Sequence, residues 1–234
     1  MPPAGLPNQR EAPMNDLSIT QSYYACAVNR RGAFPLLAEE RQICLVAAGL
    51  IELRLAGCIA VEGKRIRITA PLPAECACLQ PLYARLDRDK PLSLEKLVDL
   101  YSFSLSARPM AELTAAVGQS LCAAGLADEA KGGLFNSQTR YLPRTEAIGH
   151  TVDMVRAELL EDGPISDEVA AVAVLLDKSG CLKEYFSPFE LRQMHDHLAA
   201  LSRQPEGRNI QDMIDYVTIF MALPAVGAAV SAGC

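Results

Sequence analysis

Apolar residues recur along most of this chain with the 3.6-residue period of α-helices. The pattern predicts helices over residues 17–29, 38–56, 75–87, 93–105, 109–124, 145–161, 166–178 and 187–202, with a last helix from about 209. The segment 38–56 is apolar almost all round, so we expect it at the centre of the fold. Gly57 follows this segment at the position where a left-handed cap residue ends a helix.

Two stretches depart from the helical period and predict β-hairpins. Residues 58–69 alternate around a glycine turn, and the predicted register places four residues on the inward face: Ile59, Val61, Ile66 and Ile68. Residues 126–143 contain two glycines and an Asn-Ser pair, which indicate a second hairpin or a long loop. The predicted fold is therefore mainly α, a single helical domain of about eight to nine helices with two small β-hairpins.

The two ends of the chain differ in character from its middle. Residues 1–16 hold four prolines and few apolar residues, so we expect a disordered leader before a single domain over 17–234. Residues 216–234 are uncharged and long enough to span a bilayer, but Pro224 interrupts them and no flanking cation anchors them. Because no basic and apolar signal sequence precedes the domain, we expect a cytoplasmic protein without a transmembrane helix.

Composition and motifs exclude several functional classes. The 22 Lys and Arg against 28 Asp and Glu give a net charge of −6, which argues against sequence-independent nucleic-acid binding. The eight cysteines lie mostly among apolar residues, which is typical of reduced, buried thiols without a disulfide framework. Cys76-Ala-Cys78 has no second half-site for zinc. No nucleotide-binding loop, nucleophile elbow or His-Glu-x-x-His motif occurs, so we expect neither an enzyme nor a cofactor or metal site.

The three histidines offer little catalytic capacity. His195 and His197 lie two residues apart on a predicted helix and therefore point about 200° apart, which prevents both from binding one metal. We interpret them as solvated surface residues.

Clusters of basic residues are the remaining candidates for function. One cluster combines Lys131, Arg140 and Arg144 with the apolar pair Leu134 and Phe135. This combination suits a surface that enters a bilayer while it holds an anionic headgroup. The basic residues of the first hairpin also suggest a winged-helix protein, whose recognition helix carries exposed Arg, Asn or Gln. In this chain that helix would be the apolar 38–56 segment, so we do not expect base readout or nucleic-acid binding.

Several segments resemble the Golgi phosphoprotein 3 family over about residues 17–222. They are Leu50-Ile51-Glu52-Leu53-x-Leu55-x-Gly57-x-Ile59, Gly125-Leu126, Gly133-Leu134-Phe135 and Arg140-Tyr141-Leu142-Pro143. The resemblance implies a single, mainly helical, non-enzymatic domain. It also implies binding of phosphatidylinositol 4-phosphate on Golgi membranes, an adaptor role for the tails of membrane enzymes, and a protruding hairpin that contacts the membrane and self-associates.

The residues that would form the family's headgroup pocket differ here. The family uses a Trp and an Arg on the central helix and two Arg one turn apart on the helix before the second hairpin. The corresponding places in this chain hold Leu37, Val46, Ala111 and Thr114. Arg41 and Arg108 lie about one turn before two of these places, which suggests a shifted pocket.

Two functional hypotheses follow from these residues. The first is a peripheral membrane protein that binds an anionic lipid headgroup through seven residues: Arg41, Arg108, Lys131, Leu134, Phe135, Arg140 and Arg144. The alternative is a protein-interaction module that forms a homo-oligomer through the 126–143 hairpin and does not bind lipid. An exposed apolar loop tip fits either hypothesis.

Overall fold

The computed structural model describes residues 17–35, 38–86, 91–102, 107–132, 138–161, 163–201, 203, 212 and 215–222. The helices are α1 (Ile19–Ala27), α2 (Glu39–Leu55), α3 (Gln80–Leu86), α4 (Leu94–Ser102), α5 (Arg108–Ala123), α6 (Thr145–Leu160), α7 (Asp167–Lys178) and α8 (Pro188–Leu201). The strands are β1 (Ile59–Glu62), β2 (Arg65–Ile68), β3 (Leu92–Ser93), β4 (Ala127–Gly132) and β5 (Gln138–Pro143). Residues 215–222 are also helical, and Ala74–Leu79 and Leu182–Glu184 form 3₁₀ turns. The mainly α fold with two small antiparallel sheets is confirmed.

Helix α2 forms the centre of the core, as its all-round apolar pattern predicts. Every residue from Ile43 to Leu53 is buried, and α1, α4 and α7 pack around the helix. Gly57 ends it with a φ of 71°, a conformation that a residue with a Cβ rarely adopts. Because α2 is surrounded on all sides, it cannot serve as the exposed recognition helix of a winged-helix protein.

Helix α1 begins with caps from two parts of the chain. Ser18 and Gln21 form a local capping box. In addition, the carboxylate of Glu52 on α2 accepts a hydrogen bond from the backbone N–H of Thr20 at 2.9 Å. Glu52 is only 8% exposed, so this contact joins the two helices inside the protein.

The first hairpin has the predicted register but belongs to a larger sheet. Ile59 pairs with Ile68 and Val61 with Ile66. The segment Leu92–Ser93 adds β3 to the free edge of β2, where the sequence predicted the start of a helix. A two-residue strand is too short to show an alternating pattern, so only the tertiary fold defines it.

The predicted helix over residues 75–87 is divided into two parts. Residues Ala74–Leu79 form a 3₁₀ turn, and α3 begins at Gln80. Pro81 lacks the backbone N–H that a continuous α-helix would use, and it is accommodated in the first turn of α3. The sequence indicated the helical segment but not its change of geometry.

The C-terminal helices pack through caps and polar contacts. Helix α8 begins with the predicted capping box, in which the backbone N–H of Ser187 donates to Glu190 at 2.7 Å. His195 lies beside Asp177 with a separation of 2.9 Å. His197 is not simply solvated, because its Nδ1 lies 3.0 Å from the carbonyl oxygen of Leu159. The approach of α6 to α8 produces this contact.

The cysteines in the described ranges are free thiols, and Cys26, Cys44, Cys58, Cys76 and Cys181 are buried. Within those ranges no group of three or more His, Cys, Asp or Glu side chains could hold a metal ion. None of the helices traced in the described segments has both the length and the apolar composition needed to cross a bilayer.

Burial should make two neighbouring thiols slow to react. It raises the pKa of Cys76 to about 12 and that of Cys78 to about 11. An unfolded thiol has a pKa of about 8.5, so at pH 8 we expect iodoacetamide to alkylate these residues at least about a hundredfold more slowly in the folded protein than in denaturant. Peptide-level mass spectrometry measures both rates, and comparable rates in the two states would contradict the burial of these side chains.

Candidate functional site

The second hairpin is attached to the helical core mainly through Tyr141. Strands β4 and β5 pair over six residues, from Ala127 with Pro143 to Gly132 with Gln138. Tyr141 is 4% exposed and packs against α5 where Gly118 has no side chain. The hydroxyl of Tyr24 donates to the carbonyl oxygen of Tyr141 at 3.2 Å, and Gly32 approaches the same carbonyl with a φ of 63°. These contacts fix the base of the hairpin.

A pocket of about 560 Å³ lies beside this base. Its walls come from the loop between α1 and α2, the start of α2, the end of α4, the first half of α5 and strand β5. Polar side chains in the lining are Gln42, Tyr101, Ser102, Thr114, Gln138, Thr139 and Arg140. The volume falls in the range typical of small-molecule sites.

Arg140 is the charged residue among the described lining residues of this pocket. Its guanidinium donates a 3.0 Å hydrogen bond to the amide oxygen of Gln138 and has no carboxylate partner in the described part of the chain. A Cβ on Gly132 would lie 2.7 Å from Cγ of Arg140, so the glycine provides the space that the arginine side chain occupies. Arg140 is therefore a lining residue whose positive charge no acid neutralises within the described residues.

The other arginines of the predicted site, Arg41, Arg108 and Arg144, are all paired with carboxylates. Arg144 binds Asp128 through two hydrogen bonds of 2.6 and 3.1 Å, and this partner lowers the pKa of Asp128. Arg108 and Arg85 both donate to Glu112, at 2.7 and 2.5 Å, and together lower its pKa.

Arg41 lies outside the pocket lining. Its guanidinium pairs with Glu184 and donates to the carbonyl oxygen of Ala27 at 3.0 Å. This arginine therefore connects α2 to the end of α1 and to the 3₁₀ turn before α8.

The predicted basic cluster on the hairpin is divided between two faces. The register pairs Ala130 with Arg140 and Lys131 with Thr139, and successive strand residues point to opposite faces. Lys131 is exposed on the face opposite Arg140. Leu134 and Phe135 lie outside the described residues.

The four positions that the resemblance relates to headgroup ligands also divide between different parts of the fold. Val46 is fully buried in α2, where no headgroup can reach it. Ala111 and Thr114, one turn apart on α5, both line the pocket, and Leu37 lies outside the described residues. Gln42 and Tyr101 also line the pocket. The sequence gives no signal for these two residues, because neither occurs in a chemical motif and only the packing of α2, α4 and α5 brings them together.

The fold and the site define a class, namely a mainly helical domain with a polar pocket at the base of a β-hairpin. The family model described as Golgi phosphoprotein 3 (GPP34) matches residues 24–217. Because this match covers more than half of the chain, the protein belongs to the Golgi phosphoprotein 3 family. A search of curated proteins gave no match.

Proposed function

We propose that this domain is a non-enzymatic, peripheral membrane protein that binds an anionic lipid headgroup in the pocket beside the second hairpin. Family membership supports this function at the level of the fold. The observation that carries the proposal is Arg140, which lines the pocket and has no carboxylate partner in the described residues. An arginine can bind a phosphate through two parallel hydrogen bonds, which gives both charge neutralisation and orientation.

The start of α5 adds to the attraction for an anion. Ala107, Met110 and Ala111 of this helix line the pocket, and the N-cap residue Ala107 gives no side-chain hydrogen bond to the first turn. The N-terminal end of a helix carries a partial positive charge, so it favours a phosphate held nearby. Ala107 thus leaves this end of α5 without the side-chain acceptor that would compete with a ligand.

The hairpin supplies the second part of the proposed contact. The segment between β4 and β5 contains Leu134 and Phe135 in the sequence, and apolar residues of this kind insert at the boundary between headgroups and acyl chains. Lys131 is exposed near this segment and adds a cation that an anionic surface attracts. A headgroup bound in the pocket and insertion of these two residues would both add to the affinity for a membrane.

Co-sedimentation with liposomes tests this function. We expect the wild-type protein to pellet with anionic vesicles, phosphatidylinositol 4-phosphate vesicles among them, and not with neutral ones. Arg140→Gln should lower the affinity about ten- to a hundredfold, because a charge-assisted hydrogen bond contributes about 1.5–3 kcal/mol. The matched control is Arg144→Gln, which changes the net charge equally but removes an arginine already paired with Asp128.

The outcomes separate this function from its alternative. Equal loss of binding in both arginine variants would mean that only net charge matters and would contradict a role for the pocket. A Leu134→Ser, Phe135→Ser double variant should weaken pelleting without changing the oligomeric state. Absence of pelleting with every lipid, together with an oligomer that this double variant dissociates, would instead support self-association through the hairpin.

A further inference from the structure

We infer that Tyr24, a buried residue of α1, is a positioning residue that holds strand β5 against the loop between α1 and α2. The inference rests on the proposed function, because β5 and this loop form two walls of the pocket. Tyr24 itself lies outside the described lining, so it acts on a bound ligand only through the residues that it holds in place.

The backbone of Tyr141 points away from its partner strand. The carbonyl oxygen of Leu126 accepts a hydrogen bond from the N–H of Arg144 at 2.9 Å, and bonded and non-bonded pairs alternate along an antiparallel ladder. The pair of Glu129 with Tyr141, which follows in the register, is therefore a non-bonded pair. Its backbone N–H and C=O groups point away from the ladder, so the carbonyl oxygen of Tyr141 needs a partner from elsewhere in the fold.

The hydroxyl of Tyr24 supplies this partner. It donates to the carbonyl oxygen of Tyr141 at 3.2 Å, and both residues are buried. Burial raises the pKa of Tyr24, so the hydroxyl keeps its proton and remains a donor at the pH of binding experiments. Without this hydroxyl a buried carbonyl would lose its donor, which is unfavourable and would favour a displacement of β5.

The loop between α1 and α2 contacts the same two tyrosines. The ring of Phe34 packs edge-to-face against Tyr24, with the ring centroids 6.3 Å apart. Gly32 approaches the backbone of Tyr141 so closely that an added Cβ would lie 2.4 Å from the carbonyl oxygen. Gly32, Phe34 and Tyr141 all line the pocket. Tyr24 therefore joins the loop wall of the pocket to the wall that β5 forms.

The substitution Tyr24→Phe tests the inference, because it keeps the ring and removes only the hydroxyl. The full-length variant should bind vesicles of phosphatidylinositol 4-phosphate in phosphatidylcholine about three- to tenfold more weakly, the effect expected for one lost hydrogen bond. Hydrogen exchange of residues 138–143, measured by mass spectrometry without lipid, should become at least about threefold faster. Thermal unfolding verifies that the variant is folded at the assay temperature.

The substitution Tyr185→Phe is the matched control. The hydroxyl of Tyr185 also donates to a backbone carbonyl oxygen of α1, that of Cys26, at 2.7 Å. Both of these residues lie outside the described lining of the pocket. The control variant should therefore leave vesicle binding and the exchange of residues 138–143 unchanged. A purely structural role for Tyr24 predicts instead that the two variants behave alike.

Each result has a definite consequence. Weaker binding and faster exchange in Tyr24→Phe, with neither change in Tyr185→Phe, would support the inference. Unchanged binding or unchanged exchange in Tyr24→Phe, or equal effects in both variants, would overturn the inference and leave the proposed function intact, since the wild-type protein still binds. Absence of wild-type binding to these vesicles would overturn the proposed function itself, and the positioning role with it.

Discussion

Replacing Gly118 with alanine should lower the free energy of unfolding by about 1–2 kcal/mol. The new Cβ would lie 2.3 Å from Cγ of Tyr141 and 2.6 Å from its Cβ. These atoms are close to the backbone of β5, so a simple rotation of the tyrosine side chain cannot relieve the clash. Overpacking of this kind typically costs about 1–3 kcal/mol, which exceeds the helical preference of about 1 kcal/mol for alanine over glycine.

A second helical glycine gives the matched control. Gly149 on α6 has no atom within 4 Å of an added Cβ. Gly149→Ala should therefore stabilise the protein by about 0.5–1 kcal/mol, the opposite sign for the same substitution. Urea unfolding followed by circular dichroism measures both variants. A stabilising effect at Gly118 would mean that Tyr141 does not hold the hairpin closely against α5.

The Gly118→Ala variant should also have a lower affinity for anionic membranes. If α5 and β5 must separate to accept the methyl group, Arg140 and Thr139 move away from Thr114 across the pocket. We therefore expect Gly118→Ala to weaken binding to anionic vesicles even at temperatures where the protein remains folded. Gly149→Ala should leave this binding unchanged.

Replacing Glu52 with alanine should destabilise the fold by about 2–4 kcal/mol. The substitution removes the acceptor for the buried N–H of Thr20 and leaves a cavity between α1 and α2. A buried donor without a partner costs about 1–3 kcal/mol, and the lost side-chain packing adds to this value. The carboxylate also lies at the positive end of α1, where a negative charge is favourable.

Two further variants separate these contributions. Glu52→Gln keeps an acceptor oxygen but removes the charge, so we expect a loss of only about 1 kcal/mol. Glu161→Ala removes an exposed carboxylate and should change stability by less than about 0.5 kcal/mol. Thermal or urea unfolding measures all three proteins. An effect of Glu52→Ala as small as that of Glu161→Ala would show that the contact with Thr20 is not important for folding.

The helical fold could be predicted from the sequence because its signals are local. The apolar period of α2, the capping box before α8 and the alternation of the first hairpin all depend on residues close together in the chain. The residues that carry the family resemblance were also visible, and the family match confirms it. The 3₁₀ turn before α3 and the short strand β3 were missed because proline placement and edge pairing, not periodicity, define them.

The candidate site could be predicted only in part. Arg140 was identified because it lies in a basic cluster beside the second hairpin. The sequence could not separate Arg140 from Arg144, since the difference between them is the carboxylate partner that folding brings near. Gln42 and Tyr101 gave no signal at all, because each is an ordinary residue of its own helix.

The sequence by itself determined the mainly helical architecture, the central position of α2 and the membership of the family. Short-range periodicity, caps and turn residues are sufficient for these properties. Only the tertiary structure decided which cations are neutralised and which line a pocket. Charge pairing and pocket shape depend on distances between residues far apart in the chain, such as Thr114 and Arg140, and no local pattern encodes those distances.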